Sequence, residues 1–506
     1  MYKARHLRRT IRRLSASCLT LALGWSGLAR ASSTLEILGA TSGGNQLTAR
    51  VLSRGSAATY FNPSLLPEAL PKMEVGVFGL ATQAKIHLKE RPAGVDVPDS
   101  IYSTMIPGAG ANDLRPMPTS RLPNPRSDTD TDENVVYASI GMVRPLAGKS
   151  LVFGLYALLP VRAFLDQKGF YPDEREQYFS NQLHFELLGD RLAVSSITFA
   201  VGSQLADWIS IGGGIDVSIF TQTKVTVYVP NGADQSAMLM AQDIHTDSRF
   251  NPYVGATLHP TQRSSVIATV HLSSANDTEG ENDLRFWNYG QYPDGQNYVK
   301  QTYTFSQGSE PLRIGLGGSF HGPLREDGLA AWEVGAQLLW QRWSQYRNRI
   351  IVTNLKLGGY GEHPPDSWSN TISYTVGGGF LWRDRHVTMD LGYVPSPVPD
   401  QTGRTNYVDN SRLVASLGIE GPVRFLGKDL EAGVTLFGSV FLPRDVTKDP
   451  NAAHPVLDEY PDTAVDLRTG LPAEGTAGLQ TNNPGYPGFK STGYMVGAGA
   501  TFRIAR

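Results

Sequence analysis

Apolar and polar residues alternate along much of this chain with a period of two. From Ile209 to Val229, one face carries Ile209, Ile211, Gly213, Ile215, Val217, Ile219, Val225, Val227 and Val229. The other carries Ser210, Gly212, Gly214, Asp216, Ser218, Gln222, Lys224 and Thr226. The pattern returns at Ile372, Tyr374, Val376, Gly378, Phe380 and Trp382, at Leu413, Ala415, Leu417 and Ile419, and at Leu430, Ala432, Val434, Leu436 and Val440. It closes the chain at Tyr494, Val496, Ala498, Ala500, Phe502 and Ile504. No long segment shows the i, i+3, i+4 spacing of a helix, so the chain reads as all-β. A soluble sandwich uses strands of about five or six residues. The 209–229 segment would span roughly 70 Å at about 3.3 Å per residue. Tilted, it overtops the ~25 Å apolar band of an outer-membrane barrel, which suits strands projecting above a bilayer.

Connection lengths alternate as well. Short turns are expected at 146–149, 204–207, 260–264, 322–327, 383–385 and 421–428. Long Pro-, Gly- and Asp-rich loops are expected at 90–132, 162–189, 231–246, 288–300, 358–367, 395–409 and 443–490. Short turns on the periplasmic side and long loops outside predict a transmembrane antiparallel β-barrel of about 14 strands, residues 72–506, with both termini periplasmic. Residues 32–71 precede the first strand, near 72–89. They are rich in small residues, and composition leaves two options: a disordered tail, or a plug folded back into a lumen too wide to stay sealed alone.

Charge changes the picture at the N-terminus. Lys3, Arg5, Arg8, Arg9, Arg12, Arg13 and Arg30 are the charged residues of 1–31; without those seven cations the remaining 38 face 47 acids, a balance of −9. A nucleic-acid partner is therefore not expected. The basic start, the apolar stretch from Ser15 to Leu28 and Ala29-Arg30-Ala31 form a signal-peptide pattern with cleavage between Ala31 and Ser32. The chain's one cysteine, Cys18, lies inside 1–31, which excludes disulfide, thiol and thiolate-metal chemistry from the mature chain. No cofactor or metal is expected. Asp128, Asp130, Asp132 and Glu133 lack the Gly and Glu positions of an EF-hand loop. Trp287, Tyr289, Tyr292 and Tyr298 fit an interfacial aromatic girdle.

Several segments resemble the FadL/TodX family of outer-membrane transporters. Gly55-Ser-Ala-Ala-Thr-Tyr-Phe-Asn62-Pro63-Ser64-Leu-Leu is similar to that family's N-terminal hatch, with Ser64 where the family usually has Ala. Ala336-Gln-Leu-Leu-Trp-Gln-Arg-Trp343-Ser344 resembles a family strand ending in Trp-Ser. The order from Asp366-Ser-Trp through Tyr393-Val-Pro-Ser-Pro-Val-Pro399 to Asp409-Asn-Ser-Arg-Leu413 is also similar, and residues 193–214 add a weaker match. The C-terminus departs from the family: it ends on Arg506 instead of Phe, which puts its recognition by the barrel assembly machinery in question.

The resemblance implies a monomeric barrel in the outer membrane of a Gram-negative bacterium, set among membrane lipid and lipopolysaccharide and plugged by the 32–71 hatch. It implies passive transport of a hydrophobic small molecule, a long-chain fatty acid or an aromatic hydrocarbon, leaving sideways through the wall. The family's gap lies in strand three, here 151–160. Gly154 would weaken pairing or allow a bulge there, and Pro160 lacks an N–H; equally, Pro160 could simply end the strand. Asn62, Pro63 and Ser64 would pack against this stretch. A fatty-acid carboxylate would want a lumen-facing cation, for which Lys224, Arg313 and Arg412 are candidates; a hydrocarbon would not. A general porin or structural barrel and a barrel lipase or protease are the other classes, although no histidine sits in a catalytic context.

Overall fold

The computed structural model describes residues 34–41, 43–89, 129–161, 192, 194–229, 239–286, 298–323, 330–346, 350–352, 367–403, 405, 407–425, 428–449, 451–453 and 487–505. Ala31, Ser32, Asp128, Trp287, Tyr289 and Tyr292 lie outside them, as do the side chains of Asp130, Asp132, Glu133 and Tyr298.

Seventeen strands form one sheet: β1 (Lys72–Leu88), β2 (Thr129–Pro145), β3 (Val152–Pro160), β4 (Ser195–Ala206), β5 (Ile209–Val229), β6 (Leu239–Thr261), β7 (Ser264–His271), β8 (Ser274–Phe286), β9 (Tyr298–Glu310), β10 (Arg313–His321), β11 (Trp332–Gln341), β12 (Ile350–Val352), β13 (Thr371–Trp382), β14 (Arg385–Val394), β15 (Arg412–Phe425), β16 (Lys428–Thr447) and β17 (Gly488–Ala505). The ring itself has fourteen staves, because β8, β9 and β12 prolong β7, β10 and β11 above it after short interruptions. It runs β1 to β7, then β10, β11, β13 to β17, and β17 pairs back with β1 from Lys72↔Ala505 to Leu88↔Phe489. The 14-strand expectation holds. Closure leaves the ring without a sheet edge, the condition for a sheet to stand in lipid. Among the described residues no helix is long and apolar enough to cross a membrane.

Alternation decides which face is which. Val75, Val77, Val434, Leu436, Val440, Val496, Phe502 and Ile504 point outward and are about half exposed. Glu74, Ser218, Thr257, Asp390, Ser416, Thr435 and Arg503 point inward and are buried. Along β17 the apolar outer row runs from Tyr494 to Ile504, roughly 33 Å of strand, or about 25 Å of height once tilted. A soluble monomer rarely shows a continuous apolar girdle of that size.

Several boundaries differ from the sequence expectation: β2 begins at Thr129, inside the expected 90–132 loop, and β9 at Tyr298, inside 288–300. β6 begins at Leu239, inside the expected 231–246 loop; β16 runs on to Thr447, inside 443–490; and β15 and β16 continue to Phe425 and Lys428, replacing an expected 421–428 turn. At these ends the apolar alternation of the sequence fades while backbone pairing continues.

Candidate functional site

Residues 34–71 lie against the inner side of the wall. Three short helical turns, Thr34–Leu38, Ala49–Leu52 and Ala58–Phe61, lead to a 3-10 turn at Pro63–Leu65. Local chemistry explains the path. Gly39 adopts φ +79° and its N–H reaches Leu35 O at 2.7 Å, a glycine-terminated turn. Asn62 is extended, its Oδ1 accepts from Ser64 N at 3.2 Å, and Pro63 sits first in the next turn, where a missing N–H costs nothing.

The Asn62-Pro63-Ser64 turn docks into a cradle of wall glycines. A Cβ on Gly202 or Gly212 would come within 2.5 Å of Pro63 O, and one on Gly255 would overlap Asn62 Oδ1. Polar bonds complete the seat: Asn62 Nδ2 donates to Arg50 O at 3.2 Å, and Tyr253 OH donates to Thr59 O at 2.6 Å. Ser64 Oγ donates to Asn62 Oδ1 at 2.6 Å and lies 2.7 Å from Thr257 Oγ1, so the departure from Ala provides a bond to the wall. On the far side Asp390 of β14 binds Asn45, Leu47 N–H and Thr48.

The inner wall is polar on most strands but apolar on one arc. Phe78 and Leu80 of β1, Tyr137 of β2, Tyr156 and Leu158 of β3, Phe437 and Phe441 of β16 and Met495 of β17 form one cluster with Leu35 and Leu38. At the level of this cluster the strands of the arc carry apolar residues on both faces. Phe153, Leu155 and Leu159 of β3 point opposite to Tyr156 and Leu158. β3 is also short. It pairs with β4 from Val152↔Gly202 to Leu158↔Ser196, and its other neighbour, β2, continues upward to Thr129.

Below the segment, at the end with the short turns and the C-terminal end of β17, lies a cleft with charged walls. Arg54 pairs with Glu333 at 2.7 Å, Arg503 with Glu420 at 2.7 Å and with Glu74 at 3.2 Å, and His386 stands 3.6 Å from both Glu333 and Glu420. Glu74 also accepts from Ser56 N at 3.2 Å. Such partly buried pairs add little net stability but fix geometry, because losing one partner strands the other.

At the opposite end, loop 395–411 folds over the strand ends. Val408 packs with Ile86, Val446 and Phe489; Tyr407 and Val398 join Trp343, Tyr346 and Trp368, with Tyr346 stacked on Trp368 at 3.8 Å. Arg444 donates to Val398 O and Asp409 O, and Lys448 donates to Gln401 O and Thr405 O. Burial, reinforced by Arg444, holds Lys448 down to about 7 from 10.5. Between these values the detached loop carries a proton that the closed loop lacks, so closure strengthens as pH rises through that window and is weakest below it. Tryptophan fluorescence in urea should therefore show the loop released at higher urea at pH ~9 than at pH ~6, and Lys448→Met should abolish the difference.

The candidates from the sequence separate. Gly154 faces inward against Thr59 and Leu66, with Leu66 Cδ2 2.8 Å from where a Cβ would stand. The β2–β3 and β3–β4 ladders show no register shift beside it, so its smallness serves packing of the N-terminal segment. Pro160 is the last residue of β3, opposite Tyr137. Arg313 is buried, paired with Glu310 and 3.7 Å from Glu36, and donates to Tyr60 OH at 3.2 Å. Arg412 is buried in the field of Asp409. Lys224 is on β5 with its side chain outside the described residues. The residues missed were Glu36, Arg50, Asp390 and the aromatic arc. Two-sided apolarity in β1 and β3 was the available signal for the arc.

No family model and no curated protein matches this chain. Solved structures do match. A Pseudomonas aeruginosa FadL homologue superimposes with a TM-score of 0.54 at 12% identity, over 94% of this chain and 99% of that one. The chain has the FadL-type barrel fold. The Pseudomonas putida toluene transporter TodX (TM-score 0.46, 13% identity, 95% and 99% coverage) and the monoaromatic hydrocarbon channel CymD (0.45, 11%, 94% and 100%) are also similar.

Proposed function

We propose that this protein is an outer-membrane channel for hydrophobic small molecules, long-chain fatty acids or aromatic hydrocarbons, exported by a signal peptide cleaved before Ser32. Residues 32–71 act as its hatch. The observation that carries this reading is the apolar inner arc that ends at β3, a nine-residue strand beside the 17-residue β2. A ligand on that arc is already beside β3, which stops at Pro160 while its neighbour β2 runs on to Thr129 among the described residues. Leaving downward would take it past Glu74, Glu333, Glu420, Arg54 and Arg503 and then into water. Each methylene exposed to water costs about 0.8 kcal/mol, so sideways passage into lipid is the favoured direction. The Pseudomonas aeruginosa FadL homologue has the same barrel fold, which is in keeping with this reading.

Gly154→Leu tests the lateral path. Its side chain would displace Thr59 and Leu66 and wedge the hatch against β3. The variant should still assemble, seen as a heat-modifiable band on a gel, because the β3 ladders keep their backbone bonds. Uptake of a labelled fatty acid or of toluene should fall on the order of tenfold, the loss expected when a packed contact is forced apart by one or two kcal/mol. Uptake at the unmodified level in an assembled barrel would remove the lateral route.

A further inference from the structure

Glu36 sits at the centre of a buried cationic site. Its Oε1 accepts from Arg50 Nη2 at 2.7 Å and from Tyr60 OH at 3.1 Å, with Arg313 Nη1 at 3.7 Å. Arg50 is 1% and Arg313 3% exposed. The flanking Leu35 and Leu38 are wholly buried in the apolar arc beside Phe78, Tyr156 and Phe441. A carboxylate on the arginines with aliphatic groups in the arc is the arrangement that an acidic amphiphile would make. We infer that Glu36 is an internal stand-in for such a ligand, and that carboxylate amphiphiles release the 34–38 turn by taking its place while neutral hydrophobes leave it seated. The inference rests on the channel reading above and names the substrate class that unlocks it.

Two further facts support replacement over simple addition. Arg50 Nε and Arg313 Nε are buried and without an acceptor among the described residues, so the site holds more donors than Glu36 uses. The charges are balanced already, Arg50 and Arg313 against Glu36 and Glu310. A third carboxylate arriving beside Glu36 would meet like charge in a low-dielectric pocket, which is strongly unfavourable; one that displaces Glu36 restores the balance. A long-chain alcohol brings no charge and cannot repay the arginines for losing Glu36.

The test compares palmitate with hexadecanol, matched in length, on the purified full-length barrel in detergent. Glu36→Gln should raise palmitate affinity about tenfold by removing the charged competitor, and leave hexadecanol affinity unchanged. Equal changes for both ligands, or none for palmitate, would overturn the inference. A second measurement covers the case in which that variant misassembles. A nitroxide on Ile37→Cys should become mobile when palmitate is added and stay immobile with hexadecanol; a label immobile under saturating palmitate also overturns it. If the unmodified protein binds neither ligand nor toluene, the channel reading fails and takes this inference with it. If it binds hexadecanol and toluene and only the palmitate effects are missing, the channel reading stands and this inference alone falls.

Discussion

Deleting residues 34–71 is expected to leave an assembled barrel whose ion conductance in a planar bilayer rises on the order of tenfold or more, from nearly closed to that of an open fourteen-stave pore. The staves hold one another by continuous ladders from β1 through β17, and none of the ring pairings runs through the N-terminal segment. Its loss therefore removes no ladder bond. What it uncovers is a lumen lined by Glu74, Thr257, Thr269, Glu333, Asp390 and Arg503, groups that water can solvate. Gly212→Leu is the milder version. The Pro63–Ser64 backbone occupies the volume the new side chain needs, and all three obstructing atoms, Pro63 C and O and Ser64 N, are backbone atoms that cannot swing aside. The turn should be lifted from its cradle and conductance should rise partway. An unchanged, low conductance in the deletion would mean that the external loops seal the lumen and that the segment is not the plug.

The architecture was legible because the environment imposes it residue by residue. In β5 each outward position from Ile209 to Ile219 needs an apolar or small group for lipid and each inward one a group compatible with a polar lumen, so the strand reads directly from Ile209 to Val229. Where that demand ends, legibility ends. β6 from Leu239 and β16 up to Thr447 keep backbone pairing without the lipid contrast, so they look like loop. The interruptions at 272–273 and 311–312 were also missed, though Pro311, which lacks an N–H for the ladder, is a local cause of the second. The Asn62-Pro63 turn was visible because its chemistry is local. Its cradle was not, since Gly202, Gly212 and Gly255 come from three strands and glycine in a strand is read as weakness until the approaching backbone is seen. Long-range polar anchors are harder still. Nothing near Asp390 in the sequence points to Asn45, 345 residues away.

Asp390→Ala is expected to free the N-terminal segment without unfolding the barrel. Asp390 is 1% exposed, and its two oxygens accept four bonds: Asn45 Nδ2 at 2.8 Å and Thr48 Oγ1 at 2.6 Å on Oδ1, Leu47 N at 2.9 Å and Ser416 Oγ at 2.8 Å on Oδ2. Three of these donors belong to the segment, and only Ser416 belongs to the wall. Alanine leaves Leu47 N–H, Thr48 and Ser416 buried without this acceptor, whereas Asn45 Nδ2 keeps Gly378 O at 3.0 Å. An unsatisfied buried donor costs about 1–3 kcal/mol, and the hydroxyls and amide can relieve part of this by turning, so about 3 kcal/mol is a conservative total. The Leu47 N–H cannot turn. The cost falls on docking, because β14 keeps its ladders with β13 and β15 through backbone atoms. Limited proteolysis within 39–56 should accelerate roughly a hundredfold, the factor that about 3 kcal/mol corresponds to, while the heat-modifiable band and barrel melting stay where they are. Asp390→Asn, which keeps an acceptor for Asn45 and Thr48 but turns an N–H₂ toward Leu47 N–H, should fall between. If Asp390→Ala lowered barrel melting and left proteolysis of the segment slow, the carboxylate would be supporting the wall instead, and the segment would be held by its glycine cradle alone.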